Sequence, residues 1–87
     1  MLQNGFHITL HAQEEMGKRQ ITIDAIWSCL KNPDQIIRSQ ETRVIYQSKI
    51  KSGEINYLLR IIVENETSPK RVITVYRTSK IEKYWKE

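Results

Sequence analysis

EINYLLRIIVE, residues 54–64, is the stretch that decides the fold, because its apolar side chains recur with a period of two. Successive side chains of a β-strand point to opposite faces of a sheet, so the stretch divides into two rows. One row holds Ile55, Tyr57, Leu59, Ile61 and Val63, and the other holds Asn56, Leu58, Arg60 and Ile62. Both rows contain apolar residues, which predicts a central strand with Arg60 on the face opposite the longer apolar row.

Three further stretches have the same strand character. They are QIIRS at 35–39, TRVIYQSKI at 42–50 and RVITVYRT at 71–78, all containing β-branched residues. Turn-prone segments separate the four stretches: QE at 40–41, KSG at 51–53 and NETSPK at 65–70. Short turns between consecutive strands predict an antiparallel meander of four strands.

A short amphipathic helix is predicted before the strands, over residues 10–18. Thr9 is available as its N-cap, and Ala12 and Met16 share its apolar face. The sequence signal for the start of a second helix is clearer, with Thr22 as its N-cap. This helix ends where Pro33 interrupts the hydrogen-bond ladder. Its apolar stripe consists of Ile23, Ile26, Trp27 and Leu30.

These elements predict one α+β domain over residues 1–87. Two N-terminal helices would pack on one face of a four-stranded antiparallel sheet and leave the other face partly open. The tail SKIEKYWKE at 79–87 places Ile81, Tyr84 and Trp85 at helical spacing, which predicts a closing turn docked on the sheet edge. We expect the functional site on the open face.

Composition limits the classes of function. Fourteen lysines and arginines against ten acidic residues give a charge of +4, which favours an anionic partner such as nucleic acid. The single cysteine, Cys29, cannot form an internal disulfide, and neither a signal peptide nor a run of roughly 20 apolar residues is visible. We therefore expect a cytoplasmic protein. His7 and His11 lack a third ligand at metal-binding spacing, so we expect no metal and no cofactor.

The order of several short motifs resembles the DUF 4258 family of small uncharacterised domains. The sequence HAQEEMGKRQITIDAIWSCLKNPDQI at 11–36 is followed by strands that end in VITVYRTSK at 72–80. The most specific parts are His11-Ala12, Arg19 followed by Ile21, Asn32-Pro33-Asp34, and ITVY at 73–76. The resemblance extends from about residue 7 to residue 80. This family is similar to the RelE-like and barnase-like ribonuclease toxins.

The resemblance implies a RelE-like or barnase-like ribonuclease toxin fold, in which helices precede a curved antiparallel sheet whose concave face holds RNA. It implies the toxin component of a type II toxin-antitoxin system, an endoribonuclease that needs no metal. It also implies a cognate antitoxin protein as partner, and a homodimer is a further alternative. By position, His11 matches the family's histidine and Arg19 its second helix arginine, while Thr74 and Tyr76 match polar positions of its last strand.

Glu15 departs from the family pattern HAxxRMxxR, which has an arginine at that position. An acidic side chain beside His11 repels phosphate, and this counts against strong nuclease activity. One interpretation is that Glu15 orients the imidazole of His11. The other is that Glu15 and Arg19 form a solvated salt ladder worth about 0.2 to 0.5 kcal/mol per pair.

Metal-independent RNA cleavage needs a group that takes the 2′-hydroxyl proton, a group that protonates the leaving oxygen, and a cation for the charged phosphorane. We expect His11 to act as general acid or base, because imidazole titrates near neutrality. Arg60 would clamp phosphate, and Thr74 or Tyr76 would assist with a hydroxyl. The alternative is structural, since an arginine stem covers apolar surface and Thr and Tyr suit strands.

Further cations are expected to follow the RNA backbone: Lys18, Arg19, Arg43, Arg77 and Lys80. The alternative is that these charges only solvate and protect exposed surface. The rival function is a non-catalytic module that binds RNA or protein on the same scaffold, and Glu15 favours it.

Overall fold

The computed structural model describes residues 2–87, and over this range the chain forms six strands and three helices. The two predicted N-terminal helices and four predicted strands are confirmed in their predicted order. In chain order the elements are β1 (Leu2–Gln3), β2 (Phe6–Ile8), α1 (Leu10–Lys18), α2 (Ile23–Lys31), β3 (Gln35–Arg38), β4 (Arg43–Ser52), β5 (Ile55–Glu64), β6 (Lys70–Thr78) and α3 (Ile81–Tyr84).

All six strands join one sheet in the order β1-β2-β6-β5-β4-β3. Strands β3 to β6 form the predicted antiparallel meander, with β5 central among them. The expectation of a purely antiparallel, four-stranded sheet is wrong, because β1 and β2 extend the sheet beyond β6 and β2 runs parallel to β6. Asn4 and Gly5, with φ of 53° and 82°, form the tight turn between β1 and β2.

Both N-terminal helices begin at the predicted threonine caps. The Thr9 hydroxyl oxygen accepts a hydrogen bond from the Ala12 amide at 3.2 Å, and its own proton is donated to the Val72 carbonyl at 2.8 Å. Thr9 thereby caps α1 and ties it to β6. The Thr22 hydroxyl caps α2 by accepting from the Ala25 amide at 3.1 Å.

The core lies between α1, α2 and one face of the sheet, which we call the helix face. The helices contribute Ala12, Met16, Ile26, Cys29 and Leu30, and the sheet contributes Val44, Tyr46, Leu59, Ile61, Val63, Val72 and Val75. Three of these belong to the longer apolar row of β5. Trp27 is only half-buried and packs against the margin of the core, because its neighbours Ile26 and Leu30 take the inward positions of α2.

The opposite side of the sheet, which we call the outer face, carries the second row of β5. Strand registers place on this face Leu58, Arg60 and Ile62 of β5, Ile45, Gln47 and Lys49 of β4, and Thr74, Tyr76 and Thr78 of β6. The C-terminal tail crosses part of it. Docking near the sheet edge is confirmed for Lys86, whose amide donates to the Gln35 side chain on β3 at 3.2 Å.

Cys29 gives a testable consequence of core burial. Burial raises the pKa of its thiol from 9.0 to about 11, so folding favours the protonated form. The resulting stabilisation is complete below pH 9 and is lost as the pH rises towards 11. We expect the free energy of unfolding to fall by about 2 kcal/mol more between pH 8 and pH 11 in the parent than in Cys29→Ala. Urea unfolding curves at the two pH values measure this difference, and equal pH dependence would show that the thiol is not buried.

No helix within residues 2–87 is long and apolar enough to cross a membrane. Over the same residues, no group of three or more histidines, cysteines and carboxylates is placed to hold a metal ion.

Candidate functional site

A row of polar side chains crosses the centre of the outer face. Gln35 of β3 pairs with Gln47 of β4, Gln47 pairs with Arg60 of β5, and Arg60 pairs with Tyr76 of β6. Directly paired residues of neighbouring strands project on the same face, so the four side chains lie side by side. We call this set, Gln35, Gln47, Arg60 and Tyr76, the polar row.

Hydrogen bonds connect the polar row from end to end. Gln47 Nε2 donates to Gln35 Oε1 at 2.7 Å, and Arg60 Nε donates to Gln47 Oε1 at 2.9 Å. Arg60 Nη1 donates to the Tyr76 hydroxyl at 2.6 Å. Gln47 is fully buried and Arg60 is 7% exposed, so neighbours fix the orientation of the guanidinium before any ligand arrives.

The environment of Arg60 is neutral. Among residues 2–87, its hydrogen-bond and ring partners are Gln47, Tyr76 and Tyr84, and no ion pair links it to a carboxylate. Removing a cation from water costs several kcal/mol unless an opposite charge compensates. A buried guanidinium with neutral partners therefore attracts an anion.

The terminal nitrogen Nη2 of Arg60 is the point at which an anion can approach. Nε and Nη1 are engaged, whereas Nη2 makes no hydrogen bond with the described part of the chain. Among the described side chains, every fully buried nitrogen or oxygen has a hydrogen-bond partner, so Nη2 is at least partly accessible to solvent. Arginine binds phosphate oxygens in the plane of the guanidinium, where Nη2 remains free.

The C-terminal tail packs against the same guanidinium. The centroid of the Tyr84 ring lies 4.3 Å from Arg60 Cζ, a cation-π contact. The Tyr84 carbonyl accepts a hydrogen bond from Gln47 Nε2 at 3.2 Å. Beside it, the ammonium of Lys49 lies 3.9 Å from the Trp85 ring centroid. The tail therefore forms one wall of the site.

The structure brings three of the predicted catalytic residues onto one face. Arg60 and Tyr76 are in direct contact, and Thr74 lies two residues before Tyr76 and pairs with Ile62. Thr74 and Tyr76 are both half-buried. Their role in catalysis stays a prediction.

The structure does not bring His11 into contact with the other predicted catalytic residues. His11 is exposed on α1, the helix that packs on the helix face through Ala12 and Met16. Within residues 2–87, no hydrogen bond or ion pair links His11 to Arg60 or Tyr76. Its catalytic role stays a prediction, without support from proximity to the polar row.

Glu15 contacts two of the predicted RNA-binding cations. Its carboxylate lies 3.0 Å from Arg19 Nε and 3.5 Å from Lys18 Nζ. The hydrogen bond from Arg19 and the two positive charges lower the pKa of the Glu15 carboxyl. This geometry fits the salt-ladder interpretation, and in the described residues no hydrogen bond joins Glu15 to His11.

Lys18, Arg19 and Arg77 line one groove on the helix face together with Tyr57. The guanidinium carbon of Arg77 lies 4.6 Å from the centroid of the Tyr57 ring. Strand register places Arg77 on the helix face, whereas Arg60 lies on the outer face. These cations and Arg60 therefore do not form one continuous patch.

The two remaining predicted cations lie elsewhere. Arg43 Nε is 3.6 Å from Glu64 Oε1, and the hydroxyl of Thr42 donates to the same carboxylate at 3.0 Å. The Thr42 hydrogen bond has the largest effect in lowering the pKa of Glu64. Lys80 is exposed just before α3.

Sequence reasoning missed Gln35, Gln47 and Tyr84 as members of the site. Gln47 carries a partial signal, because it directly follows three consecutive apolar residues of a strand, VIY at 44–46. Gln35 and Tyr84 carry none, since their contacts depend on the strand register and on how the tail folds back. Both are set by tertiary structure.

A family model described as a domain of unknown function (DUF4258) matches residues 8–77. No match was found among curated proteins or among solved structures.

Proposed function

Since the chain belongs to the DUF4258 family of domains of unknown function, we propose its activity from the geometry of the outer face: it binds RNA there and cleaves it without a metal ion. In this proposal the chain is the toxin component of a type II toxin-antitoxin system, acts in the cytoplasm and is held inactive by an antitoxin protein. One observation carries the proposal. The guanidinium of Arg60 is buried and its hydrogen-bond partners are neutral, while Nη2 is accessible to solvent.

The RNA phosphodiester binds at Arg60. A phosphate oxygen accepts from Nη2, and its charge offsets the cost of keeping the guanidinium out of water. Gln47 and Tyr84 hold the guanidinium in place, so little side-chain entropy is lost when the phosphate binds. Lys49, which lies on the same face, adds attraction for the RNA backbone.

Cleavage follows attack of the ribose 2′-hydroxyl on the bound phosphate: the 2′-hydroxyl proton passes to a water molecule, a bond forms between the 2′-oxygen and phosphorus, and the bond from phosphorus to the 5′-oxygen breaks. Arg60 stabilises the negative charge that develops on the phosphorane. The Tyr76 oxygen accepts from Arg60 Nη1, so its own proton is free to protonate the leaving 5′-oxygen. The products are a 2′,3′-cyclic phosphate and a 5′-hydroxyl end, and no metal takes part. Tyr76 thereby replaces His11 as the proposed acid, because Tyr76 contacts Arg60.

The order of elements supports the toxin class. Two helices precede an antiparallel meander, as in the RelE-like and barnase-like ribonuclease toxins that the sequence resembles. The polar row lies on the sheet face away from those helices, where the resemblance puts RNA. Family membership alone gives no activity, so the site carries the argument.

A second candidate function is a non-catalytic module that binds RNA or protein on the same scaffold. One observation favours it: in the described part of the chain, no histidine or carboxylate contacts Arg60. A general acid or base typically contributes about 10²- to 10⁴-fold in rate, so a site that relies on tyrosine alone cleaves slowly.

Tyr76→Phe separates the two functions. Loss of the hydroxyl removes the proposed acid but keeps the ring, so we expect RNA cleavage to fall about 100-fold with RNA affinity within about threefold of the parent. Single-turnover cleavage of a labelled oligonucleotide and its binding isotherm measure the two effects. His11→Ala is the matched control and should cleave at the parental rate. If His11→Ala loses cleavage and Tyr76→Phe keeps it, then His11 is the general acid and Tyr76 is not.

Expression in a bacterial host tests the proposed function as a whole. We expect the parent to arrest growth and fragment cellular RNA, and Arg60→Met to do neither at equal protein level. If the parent binds RNA but leaves it intact, both in cells and in the purified assay, the proposed nuclease function is wrong and the non-catalytic binding module takes its place.

A further inference from the structure

Strand β4 has a free edge beside α2. Strand β3 pairs with residues 44–47 of β4, and within residues 2–87 no other strand lies beside residues 48–52 on that side. The Lys49 amide is directed to this side, because it donates to Asp34 Oδ2 at 2.8 Å. Amides that face one side of a strand alternate along it, so the Lys51 amide faces the same free edge. Asp34 thus caps the edge at Lys49, and the part of the edge beyond it, at Lys51, is a template for another strand.

A groove of about 1080 Å³ runs between this edge and α2. Four cations and one carboxylate line it: Lys31, Lys49, Lys51, Arg77 and Asp34. The rest of the chain contains ten cations and nine carboxylates, so three of the four net positive charges lie at the groove. We call it the β4-edge groove.

The two sides of the β4-edge groove differ in chemistry. On the side of the helix face, Ala25, Cys29 and Ile50 give an apolar floor. On the side of the outer face, register places Lys49 and Lys51, both exposed. Side chains of an added strand alternate between these two sides. The groove thus fits a strand that alternates apolar with acidic residues.

We propose that the β4-edge groove binds an extended segment of a partner protein, which pairs with β4 at Lys51 and carries acidic residues on one side and apolar residues on the other. Main-chain hydrogen bonds supply affinity, and the alternating side chains supply selectivity. The partner is a protein and not RNA, because the exposed backbone edge recognises a peptide main chain. This proposal does not depend on RNA cleavage at Arg60.

The probe is a ten-residue peptide that alternates Glu with Val, with blocked ends and a fluorophore. The matched peptide replaces each Glu by Gln. We expect the acidic peptide to bind the full chain at least tenfold more tightly than the neutral one at low salt, by fluorescence anisotropy. On binding, the Lys51 amide should become protected from hydrogen exchange, which a purely electrostatic association would not produce.

Two variants examine the backbone and the charges separately. Lys51→Pro removes the free edge amide without touching the bonds to β5 and should weaken acidic-peptide binding at least tenfold. Lys31→Glu with Lys51→Glu should have a similar effect, whereas Lys70→Glu with Arg71→Glu, remote in the fold, should change it less than threefold. Melting temperatures confirm that each variant is folded, and the charge variants remain informative if the proline variant does not fold.

Three outcomes overturn the proposal. The first is equal loss of binding in both charge variants, which indicates non-specific attraction. The second is a Lys51 amide that stays unprotected at saturation. The third is that an oligouridine displaces the peptide and that Lys31→Glu with Lys51→Glu also weakens oligouridine binding, because the groove would then be an RNA-binding site. Arg60→Met should leave peptide binding unchanged. An error in the proposed RNA cleavage at Arg60 can therefore be told apart from an error in the proposed peptide binding at the β4-edge groove.

Discussion

Arg60→Met should reduce RNA cleavage by about 10²- to 10³-fold, because it removes the cation that stabilises the phosphorane. Methionine fills similar volume, so the sheet can stay packed. Stability should change by no more than about 2 kcal/mol, since relief from burying a charge offsets the loss of two hydrogen bonds. Single-turnover kinetics measure the first effect and thermal unfolding measures the second.

Two matched variants separate geometry from charge. Arg60→Lys keeps the charge but loses the planar fork held by Gln47 and Tyr76, and we expect it to be nearly as inactive as Arg60→Met. Arg71→Met removes one exposed positive charge elsewhere and should cleave within about threefold of the parent. If Arg71→Met loses as much activity as Arg60→Met, general charge accounts for the effect and the polar row does not.

Ile61→Ala should destabilise the protein by about 2 to 5 kcal/mol. Ile61 is fully buried on β5 in the cluster that joins both helices to the sheet, so truncation leaves a cavity at the centre of the core. Stabilities of 5 to 15 kcal/mol are usual for small domains, so the loss is a large share of the total. Urea unfolding monitored by tryptophan fluorescence measures it.

Ile36→Ala is the control for this prediction. Ile36 is 55% exposed on the edge strand β3, and its truncation should cost less than about 0.5 kcal/mol. Equal losses in the two variants would mean that the helices do not cover the face of β5 that carries Ile61.

The fold was predictable where the sequence pattern is long. Ten residues of alternation in β5 and two threonine caps are local signals, and they located the meander and both helices. Strands β1 and β2, with two and three residues, are too short for a pattern, although Asn4-Gly5 between them is a hairpin signal. The parallel pairing of β2 with β6 joins residues about 64 apart, and no local pattern encodes it.

The candidate site was predictable only in part, for the same reason. The alternation of β5 placed Arg60 on the face opposite the longer apolar row, and Arg60 lies there. The contact between Arg60 and Tyr76 requires a register that the sequence does not specify. His11 was chosen for its chemistry, and its helix packs on the other face. The role of Tyr84 depends on the tail folding back across the sheet.

Which of the positively charged residues lie close together could also not be predicted from the sequence. In the sequence, Lys18 and Arg19 are neighbours and Lys80 follows Arg77 by three positions, but long intervals separate these two pairs from each other and from Arg43, and only the sign of the charge is common to all five. The fold gathers three of them around one groove and pairs Arg43 with Glu64. Net charge predicts attraction to anions, whereas position decides which anion each surface can hold.

The most direct test of the account is an NMR titration of the arginine side chains with a 2′-O-methyl oligouridine, which binds but cannot be cleaved. The account predicts that the Nε–Hε signal of Arg60 shifts in a saturable manner, that added salt reverses the shift, and that Tyr76→Phe retains it. An Arg60 signal that stays unchanged while those of Arg19 and Arg77 shift to saturation would contradict the account, because RNA would then bind the helix face instead of the outer face.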